Sequence, residues 1–237
     1  MSKVKSNEPN QRPTRNDAQR QSILDAASLL FIEKGFGGTN INDIADAVGV
    51  TRTALYYYFP SKVSILEALT KEVTERASEL ARSISKRGEM PADEALRQLV
   101  LQHAGLILSH PLHFRVAERS ESSLPQPHRA AAQASRRALL DHFLKVIERG
   151  VNQGKFRVAN AHIAAFSIIG MCNWSAWWFD PEGEVSAEGV ATMMADFALH
   201  GVTAAPFPGQ ATTDPIDQLR EALTVLESRR KVREVRK

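Results

Sequence analysis

From Asp17 onward, apolar residues recur at three- and four-residue spacing, in blocks separated by glycine, proline and capping residues. That period belongs to amphipathic helices, and no alternating strand pattern interrupts it. Ile23, Ala26, Ala27, Leu30 and Phe31 mark a first helix from Asp17 that ends at Gly35, a C′ glycine. Thr39 or Asn40 then caps a short helix carrying Ile41, Ile44, Ala45 and Val48, which stops at Gly49. Thr51 caps a third helix through Phe59, and Pro60 cannot continue its hydrogen-bond ladder. Ser61 caps a long fourth helix, broken near Gly88. Further helices are predicted at 92–109, 111–120, 127–152, 161–179 and 187–200, with connections at Gly154, Pro181–Gly183 and 206–209. A last one opens at Asp214 with Pro215 in its first turn. The predicted fold is all-α: three short helices forming a helix-turn-helix unit, then a larger helical bundle.

Composition adds little. Hydrophobic residues make up 43% of the 237 and charged residues 24%, as in an ordinary globular chain with a sizeable core. The single cysteine, Cys172, excludes an internal disulfide framework and a Cys-rich zinc site. The seven histidines show no metal-ligand spacing, so neither a metal nor a cofactor is expected. No secretory h-region and no long apolar span occur, so the expected location is the cytoplasm, without membrane contact. Nucleophile-elbow, zincin and P-loop patterns are missing, and an enzyme is not expected.

Charge is deceptive. The net +3 is carried by the last ten residues, SRRKVREVRK, at 6 − 1 = +5, which leaves 3 − 5 = −2 for the other 227. Any case for DNA therefore rests on a site.

That site lies in Ile41–Tyr58. Ile44, Ala45, Val48, Gly49, Val50, Leu55 and Tyr58 are spaced as in a helix-turn-helix: a small residue at the crossing, a glycine at the turn, an anchor in the second helix. The bland alternative is an αα-hairpin inside a bundle.

All three tyrosines of the chain are adjacent, at Tyr56, Tyr57 and Tyr58. With roughly 100° per residue, Leu55 and Phe59 define an inward face, and Tyr57 falls about opposite it with Thr53 beside it. Tyr56 and Tyr58 lie on the flanks, free either to reach phosphates or to pack on neighbouring helices. Arg52 can pair with guanine O6 and N7, or clamp a phosphate. Lys62 sits at a helix start, where it matches its own helix dipole poorly and a phosphate well. Thr39 combines a cap with a phosphate contact. The candidate DNA-binding residues are thus Thr39, Thr51, Arg52, Thr53, Tyr56, Tyr57, Tyr58 and Lys62.

Residues 23–69, ILDAASLLFIEKGFGGTNINDIADAVGVTRTALYYYFPSKVSILEAL, resemble the DNA-binding domain of TetR-family transcriptional regulators, most specifically in LYYYF-x-SK. In that family the tyrosine pair is followed by His and Phe; Tyr58 stands where the histidine is common. The resemblance implies a homodimer on a palindromic double-stranded operator and a helical C-terminal domain that binds a small-molecule effector.

All three tryptophans fall in GMCNWSAWWFD, where Gly170, Trp174, Trp177 and Trp178 share one helical face. Such a face suits a dimer interface or the wall of an apolar cavity. Gly170 and Trp177 are assigned to the interface, Trp174 and Trp178 with His103 and Phe114 to the ligand. For a lone histidine such as His103 or His113, a satisfied structural role is the plainer alternative. The segment is similar to the subgroup that senses acyl-CoA thioesters. Ile216, Leu219, Leu223 and Leu226 form a short heptad stripe that can dock on the bundle or pair with a second copy.

The expected organisation is a basic arm at 1–15, a DNA-binding domain at 16–62, a ligand-binding and dimerisation domain at 63–203, and a linker with an extra helix at 204–237. The expected function is a ligand-released repressor. The alternative is a helical ligand-binding or scaffold protein whose helix-turn-helix contacts protein.

Overall fold

The computed structural model describes residues 14–203. The basic arm and the helix expected from Asp214 lie essentially outside them. Among the described residues all regular structure is helical: α1 (Arg15–Gly38), α2 (Ile41–Val48), α3 (Arg52–Tyr58), α4 (Lys62–Ser85), α5 (Ala92–Ser109), α6 (Pro111–Ser120), α7 (Gln126–Asn152), α8 (Ala161–Trp178) and α9 (Ala187–Thr203). A single 3₁₀ turn, Glu121–Ser123, follows α6. No helix among them is long and apolar enough to cross a membrane.

Local sequence explains the boundaries. Thr14 caps α1 in a capping box with Asp17, so the helix starts before the first apolar repeat. Gly35 breaks α1 as expected, at φ 74° and ψ 160°, and one more helical turn carries the chain to Gly38. Asn40, not Thr39, is the cap of α2: its side chain accepts from the Asn42 and Asp43 N–H groups, and Asp43 answers. Gly49 closes α2 in the left-handed conformation at φ 73°. The Thr51 hydroxyl accepts from Ala54 N–H and opens α3, which ends at Tyr58 with Phe59 as its C-cap. Ser61 and Ser64 box the start of α4.

Two buried clusters organise the chain. The first unites Phe31 of α1, Ile44 of α2, Leu55 of α3 and Ile65 and Leu69 of α4, and it also takes in Val116 of α6. The second fills the space between α4, α5, α7, α8 and α9 around residues such as Leu96, Phe143, Ile147 and Ala195. α4 belongs to both: its first two turns sit in the first core, and Ala77, Ala81 and Ile84 sit in the second. α6 is the other shared element, packing on α1, α4 and α8. Its Arg115 Nε donates to the Ala176 carbonyl of α8 at 2.7 Å.

Candidate nucleic-acid interface and effector cavity

α3 is anchored by Leu55, which is fully buried, with Phe59 buried one turn on. Burying a leucine of this kind is worth about 2 kcal/mol, and it orients the whole helix. Tyr57, opposite, is 78% exposed and is the most exposed large apolar side chain among the described residues. Tyr56 is 38% exposed. Tyr58 is half-buried against the first core, and its ring meets that of Tyr57 edge-on at 5.3 Å. Tyr58 therefore sets the posture of Tyr57 as well as filling space. Arg52 and Thr53 are exposed. The Arg52 guanidinium donates to the Tyr56 hydroxyl at 3.1 Å and lies over the same ring, 5.4 Å from its centroid. That pairing holds a long cation in one posture and lowers the entropy lost when it engages a partner. Arg52, Thr53, Tyr56 and Tyr57 thus form one exposed surface, with Thr51 beside it serving its own helix as the cap.

Two residues expected to face a phosphate do something else. The Thr39 side chain is buried, and its hydroxyl lies 2.9 Å from the Gly35 carbonyl and 3.1 Å from that of Leu30. It closes the broken end of α1, where carbonyls lack helical partners. Lys62 Nζ donates to the carbonyls of Phe36 and Thr39 at 2.5 and 2.6 Å and lies over the Phe36 ring. The mismatch of a lysine with its own helix start is thereby resolved inside the protein: the cation neutralises the carbonyl end of α1. Sequence reasoning missed this because the acceptors lie 26 and 23 residues upstream and converge only when α1 breaks at Gly35.

The second core contains a cavity of about 290 Å³, bordered by Thr74 of α4, His103 of α5, Phe114 of α6, Leu139 of α7, and Ile169 and Asn173 of α8. Its lining is mainly apolar. His103 Nε2 lies 2.9 Å from Asn173 Oδ1, and its Nδ1 is buried without a partner. Burial pushes His103 down to about 4, against a smaller raising by Asn173, so the ring is neutral near pH 7. With Nε2–H donating to Asn173, Nδ1 is left as a bare acceptor beside the cavity. Arg136 and Arg137 also border the space. Arg136 is engaged by Glu118 and Glu121.

Of the residues assigned to the ligand, His103 and Phe114 line the cavity, whereas Trp174 and Trp178 do not. Trp178 is half exposed, and Trp174 is 62% exposed although its ring stacks on Trp177 at 5.6 Å. Trp177, assigned to the interface, is half-buried and packs edge-on against Phe114 at 5.7 Å. Gly170, also assigned there, borders the cavity. α8 packs on α5, α6 and α7, which turns Trp177 inward and leaves Trp174 and Trp178 outward. Asn173 was missed, although it stands one turn before Trp177 on the same face.

Fold and site together define a helix-turn-helix DNA-binding regulator with a cavity in its second core. Residues 23–69 match the bacterial regulatory proteins of the tetR family, and residues 89–202 match the tetracyclin repressor-like C-terminal domain. The chain belongs to the TetR family of transcriptional regulators. It is similar to the HTH-type transcriptional repressor KstR2 of Rhodococcus jostii (strain RHA1): 26% identical over 186 residues, covering 78% of this chain and 91% of that one. The crystal structure of PfmR from Thermus thermophilus, a TetR-family regulator, aligns with a TM-score of 0.67 and 30% identity, over 75% of this chain and 97% of that one. AibR, solved in complex with isovaleryl coenzyme A and operator DNA, shares the fold at a TM-score of 0.61 and 24% identity, over 78% and 98% of the chains.

Proposed function

We propose that this regulator is a homodimeric repressor that holds a palindromic operator through α3 and releases it when an effector fills the cavity. The observation that carries the reading is the exposure of Thr53 and Tyr57 on the side of α3 opposite buried Leu55, with Arg52 exposed beside them in the first turn. Seated in a major groove, that surface presents a guanidinium for guanine, a methyl and hydroxyl for thymine or phosphate, and a phenol for backbone oxygens.

Effector and operator are linked through α4. It carries Thr74 on the cavity and Lys62 against the α1–α2 junction, so a shift at one end is felt at the other. An effector that binds one tilt of α4 better than the other changes the separation of two recognition helices, and DNA affinity falls by that difference.

The cavity chemistry favours an effector with an apolar body and a hydrogen-bond donor at His103, with room for an anionic part near Arg136 and Arg137. An acyl-CoA thioester fits this description: its acyl chain enters the cavity and its phosphates stay outside. AibR, with its isovaleryl coenzyme A, is a precedent within the fold.

The test selects duplexes from a random pool, then titrates the winner in a gel shift at moderate salt. Sequence-selective binding, released by acyl-CoA thioesters and not by free coenzyme A, is expected. Duplex binding without sequence preference removes the repressor reading, and release by none of the thioesters removes the effector class. Arg52→Ala should flatten preference at one or two operator positions; a uniform loss over all duplexes reassigns Arg52 to phosphate.

A further inference from the structure

A histidine pair at the start of α6 has no part in the reading above. His113 is buried to 2% exposure, and each of its ring nitrogens faces a carboxylate from a different helix. Nε2 lies 2.8 Å from Asp25 Oδ1 of α1, and Nδ1 lies 3.7 Å from Glu72 Oε2 of α4, too far for a hydrogen bond. Nδ1 is thus a buried nitrogen without a partner. His110, half-buried, stacks on His113 with ring centroids 4.8 Å apart. One donor atom from each of Asp25, His110 and His113 falls within 4.8 Å of the others.

We propose that Asp25, His110 and His113 form a binding site for a divalent transition metal of the Zn²⁺ class, at the junction of the two cores. Two imidazoles and one carboxylate are a donor set for such ions, and three protein ligands leave a fourth position for water. Tetrahedral ligation brings the donors to about 3.3 Å from one another. The required movement is a turn of the half-buried His110 ring out of its stack and a small withdrawal of the exposed Asp25 from the 2.8 Å it now keeps to His113 Nε2.

Glu72 makes the assignment specific. A metal-bound histidine normally gives its other N–H to a carboxylate, which fixes the tautomer and the ring plane. With Nε2 on the metal, the His113 proton sits on Nδ1, and a small approach by Glu72 from its present 3.7 Å would let that carboxylate accept it. The spacing of the histidines concealed this set, because its acid comes from α1, 85 residues before His110.

The site ties α1, which shares a core with α3, to α6, whose next residue Phe114 borders the cavity. The test is equilibrium dialysis of the chelator-treated full chain against micromolar Zn²⁺, with Co²⁺ absorption as a second probe. One ion per chain is expected. Asp25→Asn and His110→Ala, both outside the buried cores, should each weaken Zn²⁺ binding at least tenfold and abolish the tetrahedral Co²⁺ bands. Glu72→Gln should weaken it 10–100-fold without changing the stoichiometry. His128→Ala, at a separate His–Glu pair with Glu67, should leave it unchanged. Less than half an ion per chain, or wild-type affinity in both the Asp25 and His110 variants, overturns the assignment.

Discussion

Tyr57 and Lys62 stand five residues apart and differ in what supports them. Tyr57 is mostly exposed, and its one ring partner, Tyr58, is held by the first core without it. Tyr57→Ala should therefore weaken operator binding at least tenfold while thermal stability stays nearly unchanged, as gel shift and melting would show. Lys62 donates to two carbonyls at the end of α1. Removing a charged donor from part-buried acceptors costs about 2 kcal/mol. Lys62→Ala should thus lower the denaturation midpoint as well as DNA affinity; an unchanged midpoint would return Lys62 to the phosphate. His103 makes a prediction in pH. Its folded value of about 4 lies below the ordinary 6.5, so between these values the unfolded chain binds the proton and the folded one does not. The contribution is complete above about 6.5 and is lost as pH falls toward 4, with an upper size on the order of 3 kcal/mol. His103→Leu should remove this part of the pH slope in denaturant titrations between pH 4 and 7.

At the scale of the element, most of the helices were legible. Capping side chains and glycines act within three or four residues, so Asn160 at α8 and Gly49 at α2 mark boundaries without help from the rest of the chain. What the period could not tell was which face of a helix lacking a polar side turns inward. α8 is apolar nearly all round, and its neighbours decided that Trp177 packs and Trp174 does not. Close approach is equally invisible. Gly150 near the end of α7 resembles any helical glycine, yet a Cβ there would run into the Phe156 ring. Phe156 is itself buried in the second core and cannot move aside cheaply. Gly150→Ala should cost about 1–3 kcal/mol by overpacking, against the slight gain the same change brings at an unobstructed helical site. Chemical denaturation distinguishes the two.

For the whole molecule, the second core is incomplete on one side. Ile163, Phe166, Trp174 and Trp178 of α8 and Met193 and Phe197 of α9 are all about half exposed or more, with Phe197 at 71%. So many large apolar side chains on adjoining helices are costly for a monomer and suit a second copy. Trp174→Glu combined with Phe197→Glu should yield a monomer by light scattering, with operator affinity reduced at least a hundredfold because two half-sites are no longer read together. A dimer that survives both charges would place the interface elsewhere. Taken alone, the sequence determined the all-α class, the helix-turn-helix, the outward direction of Tyr57 and most helix ends. Each of these follows from interactions within one helix or across one turn. Only the tertiary structure decided that Lys62 and Thr39 serve the broken end of α1, that Trp177 rather than Trp174 faces inward, and that His113 meets Asp25. Those outcomes depend on groups tens of residues apart, and no local period records which of them the folded chain brings together.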